Sequence, residues 1–283
     1  RPMLSLQEVE ANAQTYMKQF FKVVDRDKTE VRWQSEWYNK FALEEVIKLT
    51  SMFTVAQLLA REDFNKRYNS GNPISLTEML YPLLQGYDSV VINADVEFGG
   101  IDQKFNCLLG RELQQSMAQP PQQGFLVPLL AGTDGHHKMS KSLGNHIGID
   151  EPPDEIYGKV MSIPDSLIID YFELATDVSE EEIAELKEQL NEHTANPMNL
   201  KKRLAYELVK QFHNEEAAAE AQECFVRVFQ RRETPKQIQT IEFRDSISVR
   251  DELKIEVSRD ITSLLLEANL VKSRAEAKRF LAQ

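Results

Sequence analysis

An α/β domain built on a parallel sheet, followed by an all-helical domain, is the fold class that three features of this sequence predict. Apolar runs of strand length, at 89–93 and 125–130, alternate with stretches of helical periodicity. Strand patterning then stops, and from 154 to 232 only capped helical segments occur. Directly behind the second run lies a compact basic segment, Lys138-Met139-Ser140-Lys141-Ser142, set between Gly132-Thr133-Asp134-Gly135-His136-His137 and Leu143-Gly144-Asn145.

Each element follows from local signals. Ser5-Leu6-Gln7-Glu8 is a capping box, and Val9, Ala13, Tyr16, Met17 and Phe20 repeat behind it at helical spacing, which predicts a helix over 6–24. Asp25-Arg26-Asp27-Lys28 reads as a turn and the weak alternation of 30–36 as a short strand. Residues 41–68 read as two or three helices, with Thr50 or Thr54 as a cap, broken by Asn69-Ser70-Gly71-Asn72-Pro73. Residues 75–84 are helical again, from Ser75 or Thr77. A strand over 89–93 is ended by 95–100, an amphipathic helix covers 102–117, and 125–130 is a buried strand. Beyond Pro152-Pro153, helix starts stand at Pro164-Asp165-Ser166, Ser179-Glu180-Glu181-Glu182 and Asn196-Pro197. Residues 234–241 read as a linker, and 261–283 as two short helices split by Val271-Lys272-Ser273. The expected domains are 1–150, 151–235 and 236–283.

Composition sets limits. The 283 residues, 42% of them apolar, suffice for one large domain or two to three smaller ones with real cores. A net charge of -12 argues against a general nucleic-acid coat and leaves room for a local basic patch. Cys107 and Cys224 stand far apart with no Cys or His partner at ligand spacing, which speaks against a disulfide framework and a zinc site and suits a reducing cytosol. No apolar run nears membrane-spanning length and no signal-like segment occurs, so the expected location is cytoplasmic. The chain opens with Arg1-Pro2 rather than Met and is expected to begin inside a longer protein.

Three blocks carry chemistry. In the basic segment, Lys138 and Lys141 supply point charges with rotatable donors, and Ser140 and Ser142 add neutral donors. Behind a strand, with glycines around it, this pattern suits a mobile loop closing over a polyphosphate; the bland alternative is a solvated basic turn. The second block is Tyr81, Gln85 and Asp88, at i, i+4 and i+7 on one helical face. It is either a satisfied polar network at a helix end or a pocket whose hydroxyl, amide and carboxylate grip an amine or a phenol. The third is Gly99-Gly100-Ile101-Asp102-Gln103-Lys104-Phe105-Asn106. A glycine pair lets a ligand approach the backbone, at the strand-to-helix junction where open α/β sheets bind ligands. Asp102 is placed to accept ribose hydroxyls, and Gln103 to reach towards the Tyr81 face; an N-capping aspartate fits the same residues.

At these blocks the chain resembles the class I aminoacyl-tRNA synthetases, and within them the bacterial-type tyrosyl-tRNA synthetases. Lys138-Met139-Ser140-Lys141-Ser142 matches the second signature of the class without a change. Tyr81, Gln85 and Asp88, followed by Gly99, Gly100, Asp102, Gln103 and Asn106, resemble the tyrosyl enzymes in particular. The similarity continues through Asp150-Glu151-Pro152-Pro153 and Lys159-Val160-Met161-Ser162-Ile163-Pro164-Asp165. Tryptophanyl enzymes usually lack the glycine pair and carry a histidine where Asn106 stands. The first signature of the class, His-x-Gly-His, is absent; His146-Ile147-Gly148-Ile149 lacks the second histidine. Residues 260–283 resemble the first two helices of an S4-type RNA-binding module.

The resemblance implies a partial Rossmann-like catalytic domain, a helical anticodon-binding-type domain and an incomplete S4-like module. It implies activation of tyrosine by ATP, with Mg2+ accompanying the nucleotide, and transfer from tyrosyl-adenylate to tRNA(Tyr), with no protein nucleophile and no structural metal. Lys138 and Lys141 would hold the β- and γ-phosphates in the transition state, assisted by Ser142. Tyr81 and Gln85 would take the tyrosine ammonium, Asp88 the phenol, and Gln103 would orient the amino acid. Gly100 and Asp102 would line the ribose, with Leu130 and Met139 completing the ATP site. Arg274, Lys278 and Arg279 would face RNA. The family is homodimeric, and the helices of 41–68 are expected at that surface, although Phe53, Val55, Leu58 and Leu59 suit a core equally. This 283-residue piece alone is expected to be inactive. The competing readings are a tryptophanyl-type enzyme, a nucleotidyl-transferring α/β enzyme of the pantetheine-phosphate adenylyltransferase kind, and a non-catalytic RNA-binding paralogue or fragment.

Overall fold

The computed structural model describes residues 4–231, 260–268, 270–271 and 273–281. Residues 1–230 form one compact unit and 231–283 a second.

Local capping sets the helices of the first unit. Ser5 accepts from the Glu8 amide at 3.3 Å, and Glu8 accepts from the Ser5 N–H at 2.8 Å, opening α1 (Leu6–Phe20). Residues 30–34 form no strand, and 35–38 are helical: Glu36 accepts from the Trp33 amide at 2.8 Å at the entry to α2 (Ser35–Tyr38). Next come α3 (Leu43–Thr50), α4 (Val55–Leu59), whose cap is Thr54, and α5 (Glu62–Asn69). A capping box of Ser75 and Glu78 opens α6 (Leu76–Val91). This helix takes in most of the strand expected over 89–93. The run Val90-Val91-Ile92 is β-branched, but Val90 lies in helical phase with Leu83 and packs with it in one core. Periodicity and burial outweigh β-propensity here.

The strand lies further on, where a turn was expected: β1 (Val96–Gly100) leads through a 3₁₀ turn (Ile101–Gln103) into α7 (Lys104–Ser116) and β2 (Gln123–Val127). The strands pair in parallel, Val96 opposite Gln123 and Gly100 opposite Val127, so α7 is a βαβ crossover. Strand alternation turns Glu97 and Gly99 towards the helices and Val96 and Phe98 to the other face. There Phe98 and Phe125 meet at 5.2 Å and remain more than half exposed. The strand expected to be buried is thus covered on one face only among the described residues.

Helices α6 and α7 cross at two glycines. A Cβ on Gly86 would lie 2.7 Å from Leu109 Cδ2 and 3.2 Å from the Gly110 Cα. Around the crossing Leu49, Leu58, Leu83, Val90, Leu109 and Leu113 form a core, which Phe41 and Phe53 flank. A second core lies among α8 (Pro153–Ser162), α9 (Ile168–Ala175), α10 (Glu180–Asn191), α11 (Pro197–Phe212) and α12 (Glu215–Phe225), with Tyr157, Ile168, Phe172 and Leu204 fully buried. The second unit contains α13 (Ile261–Glu267) and α14 (Arg274–Leu281). Among the described residues no helix is long and apolar enough to cross a membrane.

The crossing makes a prediction with a definite sign. Gly86→Ala gains about 1 kcal/mol of helix propensity, yet it must move Leu109 and Leu113, a strain of about 1–3 kcal/mol. The expected outcome is a lower urea midpoint in the full-length protein; a raised midpoint would mean that the two leucines yield freely.

Candidate active site

The polar stripe of α6 divides. Asp88 faces α2: Gln34 Nε2 donates to one carboxylate oxygen at 2.5 Å and the Trp37 indole N–H to the other at 3.0 Å. Half-burial pushes its pKa up, against these two hydrogen bonds, which lower it. Tyr81 is half exposed, and its ring lies 5.9 Å from the Arg61 guanidinium. Gln85 faces the sheet. Its Nε2 donates to Glu97 Oε1 at 3.0 Å, and its Oε1 accepts from Asn106 Nδ2 at 2.8 Å.

Asn106 is the junction between the second and third blocks. It is almost fully buried, and the same Nδ2 donates to Gln103 Oε1 at 3.0 Å, so the amides of Gln85 and Gln103 meet through it. Glu97 was not singled out from the sequence. Its second oxygen accepts from Gln122 Nε2 and, at 3.4 Å, from Ser89 Oγ. Burial and the Glu97 charge together push the neighbouring Cys107 thiol up to about 12. An alternating strand over 95–98 was the signal that could have found Glu97; the following glycine pair masked it as a turn. The glycine pair itself leaves room for side chains: a Cβ on Gly100 would lie 2.7 Å from both Asp102 Oδ1 and Leu129 Cδ2.

Beyond β2 the lysine loop is folded on itself. Ala131 bridges Lys138, and Gly132 N–H donates to the His137 carbonyl at 2.8 Å. Asp134 accepts from the His136 and His137 amides at 3.1 Å each, which hold its carboxyl well below the usual range. Asn145, buried, ties the loop shut: Oδ1 accepts from the Ser140 amide at 2.8 Å, and Nδ2 donates to Asp134 at 3.0 Å. Ser140 Oγ and Ser142 Oγ are 2.8 Å apart at a 3₁₀ turn (Lys141–Leu143).

Lys138 Nζ reaches Asp102 at 2.5 Å, joining the first block to the third. That hydrogen bond is the main reason the Asp102 carboxyl sits below its ordinary pKa. The pair is exposed, 58% at the lysine and 33% at the aspartate, so it contributes about 0–1 kcal/mol and a polyphosphate could displace it. Its contribution is present above the ordinary carboxylate pKa and fades as pH falls through the lowered value. Lys141 is not part of this pair; its charge is felt by Asp150, whose main perturbation is a hydrogen bond from Gln19. Leu130 and Met139 turn inward and pack on the helical core, lining a small apolar cavity of about 150 Å³ with Ile147, Tyr171 and Phe212. Tyr171 OH donates to the Ala131 carbonyl at 2.8 Å.

The basic residues of the C-terminal segment belong to the second unit. Arg274 and Lys278 are exposed on α14, and Arg274 donates to Ser263 Oγ at 3.5 Å. The side chain of Arg279 lies outside the described residues. Among the described residues no cluster of three or more His, Cys, Asp or Glu could hold a metal ion.

The sequence profile described as tRNA synthetases class I (W and Y) matches residues 1–230. The chain belongs to this family. Among its relatives is the tyrosine–tRNA ligase of Dehalococcoides mccartyi (strain CBDB1), 56% identical over all of this chain and 69% of that protein. That of Thermotoga maritima is 47% identical over all of this chain and 68% of its own length. The fold of this class I synthetase is similar to that of the Archaeoglobus fulgidus tyrosyl-tRNA synthetase complexed with L-tyrosine, with a TM-score of 0.61 at 22% identity over 77% of this chain and 75% of that one. A tryptophanyl-tRNA synthetase from Encephalitozoon cuniculi gives 0.57 at 12% identity over 78% and 65%. Fold alone therefore does not separate the two specificities.

Asn145, absent from the residues picked from sequence, is the loop's buried tie. Asn145→Ala removes a buried partner, a change that costs about 1–3 kcal/mol. It should speed amide exchange at Ser140 and tryptic cleavage after Lys138 and Lys141. Unchanged rates at both would show that the loop is held elsewhere.

Proposed function

We propose that this chain is the body of a tyrosine–tRNA ligase, which joins tyrosine to ATP as tyrosyl-adenylate and passes the tyrosyl group to tRNA(Tyr). The observation that carries this reading is the convergence of the three blocks where the strands end. Gln85 and Gln103 meet through Asn106 beside the end of β1, and Lys138, from the loop behind β2, reaches Asp102. The carboxyl ends of parallel strands are where such folds bind ligands. The identity to tyrosine–tRNA ligases, 56% and 47% over the whole chain, supports tyrosine over tryptophan.

No nucleophile from the protein is needed. The tyrosine carboxylate attacks the α-phosphate and pyrophosphate leaves, so catalysis is orientation and charge stabilisation. Tyr81 and Gln85 take the ammonium, and Gln103 orients the amino acid. Asp88 takes the phenol: its two oxygens already accept from Gln34 and Trp37, but a carboxylate has about four lone-pair sites, so capacity remains. Gly100 and Asp102 line the ribose once Lys138 has left Asp102 for the phosphates, where Lys141 and Ser142 join it. Leu130 and Met139 serve ATP through their backbone, because their side chains pack inward. Mg2+ arrives with ATP as part of the substrate. Arg274, Lys278 and Arg279 offer tRNA a basic surface.

The helical segment that follows Pro152 serves as an anticodon-binding domain, after a catalytic domain at 1–150, and α13 and α14 as S4-like helices; the linker expected over 234–241 lies outside the described residues. The protein is a homodimer, with part of the interface on α3 and α4. Leu58 is core and Phe53 packs against it, whereas Leu43, Ile47 and Val55 are exposed. Light scattering that reads a monomer would remove this assignment.

Tyrosine-dependent ATP–pyrophosphate exchange by the full-length protein tests the reading; exchange with tryptophan instead of tyrosine would overturn it. In that assay Lys138→Ala or Lys141→Ala should lower the adenylation rate far more than ATP affinity, by about 2–4 kcal/mol of transition-state stabilisation. Weakened ATP binding at an unchanged rate would place both lysines in the ground state.

Asp88 gives a second prediction. A site that hydrogen-bonds a hydroxyl leaves its own group unpaired when the analogue lacks it; tyrosyl enzymes are themselves the usual illustration of this asymmetry, so its size is not a result of this structure. Asp88→Ala should cut the specificity constant for tyrosine severely and that for phenylalanine much less. An unchanged ratio would leave Asp88 as the staple between α6 and α2.

A further inference from the structure

The orientation of the two glutamine amides has a single source. An amide presents an oxygen at one end and a donor at the other, and nothing in Gln85, Asn106 or Gln103 alone decides which way each lies. Glu97 decides it, because a carboxylate only accepts. Gln85 Nε2 must point at Glu97 Oε1, 3.0 Å away, which turns Gln85 Oε1 to Asn106. Asn106 must then donate, at 2.8 Å to Gln85 and 3.0 Å to Gln103, which turns Gln103 Oε1 inward and its Nε2 outward. Two further donors, Ser89 Oγ and Gln122 Nε2, hold the other Glu97 oxygen in place. Reversing the chain would set acceptor against acceptor at Glu97. One sign of how firmly it is keyed is Asn106 Oδ1, buried and without a partner. Such an atom costs free energy, and the orientation that strands it persists because Gln85, held by Glu97, requires the donor.

We propose that Glu97 is a positioning residue for amino-acid selection. Through Gln85 Nε2 it fixes the carbonyl oxygen of Gln85 as the end offered to a ligand, and so commits that subsite to a cation, the substrate ammonium. Gln85 Oε1 has two lone pairs, and Asn106 uses one. Glu97 touches no substrate; it acts through the amide it orients. This inference rests on the assignment of Gln85 to the tyrosine ammonium.

Three ligands separate positioning from general damage in the full-length enzyme: tyrosine, tyrosinol, which keeps the ammonium and lacks the carboxylate, and 3-(4-hydroxyphenyl)propanoate, which lacks the ammonium. Glu97→Met removes the acceptor at similar volume. It should weaken tyrosine and tyrosinol about 10–100-fold, the range for a hydrogen bond to a charged group, and leave the propanoate within about twofold. Glu97→Gln keeps one oxygen for Gln85 but sets a donor against Gln122 and Ser89, so it should give a smaller loss, confined to tyrosine and tyrosinol. Equal losses across the three ligands, or tyrosinol unaffected by Glu97→Met, would overturn the proposal. If Glu97→Met does not fold, the crystal structure of the native enzyme with tyrosine decides: Gln85 must keep Nε2 on Glu97 and Oε1 on the ammonium, and Glu97 turned away from Gln85 would overturn the role. A native enzyme that activates tryptophan and not tyrosine would overturn the tyrosine reading and this inference together. Tyrosine activation with a flat Glu97→Met profile overturns this inference alone.

Discussion

The structure of the site depends on how closely α6 and α7 approach. Gly86 and Gly110 meet with no room for a Cβ on Gly86. Larger side chains at this crossing would push the helices apart and draw Asn106 on α7 away from Gln85 on α6. The crossing also sets Ser89 and Gln85 above β1, within reach of Glu97. A packing constraint without polar character thus places the network of Gln85, Asn106, Ser89 and Glu97.

The polar chain that results is a costly feature unless complete. Buried amides and carboxylates left without partners lose more than a typical hydrogen bond returns. Gln114 illustrates the completion: fully buried, it donates to the Ala94 carbonyl at 2.9 Å and accepts from the Gln122 amide at 2.7 Å. Gln122 in turn donates to Glu97. The orientation of the ligand-facing glutamines is therefore supported by Gln114 of α7 and by Gln122 of the connection between α7 and β2.

The lysine loop follows a different logic. Its interior is held by short-range bonds centred on Asp134 and Asn145, whereas its one described link to the first part of the site is the exposed Lys138–Asp102 pair. A loop closed by its own hydrogen bonds and tied to Asp102 by an exposed ion pair can exchange one anion for another with little reorganisation. Its underside is apolar and packs on the helical core through Leu130 and Met139. The helical segment therefore supports the loop that carries the charge.

The sequence by itself determined what short spacing controls. Ser5, Thr54, Ser75, Ser179 and Asn196 all cap helices, because a cap is a contact within one turn. The lysine loop, the glycine pair and the stripe of Tyr81, Gln85 and Asp88 were legible for the same reason. The tertiary structure decided what depends on distant partners. It gave residues 89–91 to a helix, because Val90 found a core, and moved the strand to Val96–Gly100. It gave Asp88 the donors Gln34 and Trp37, and Lys138 the carboxylate of Asp102. Glu97 was marked only by the alternation of Asp95-Val96-Glu97-Phe98, which the glycine pair behind it masked as a turn. Its meaning comes only from the two helices that the glycine crossing sets against it.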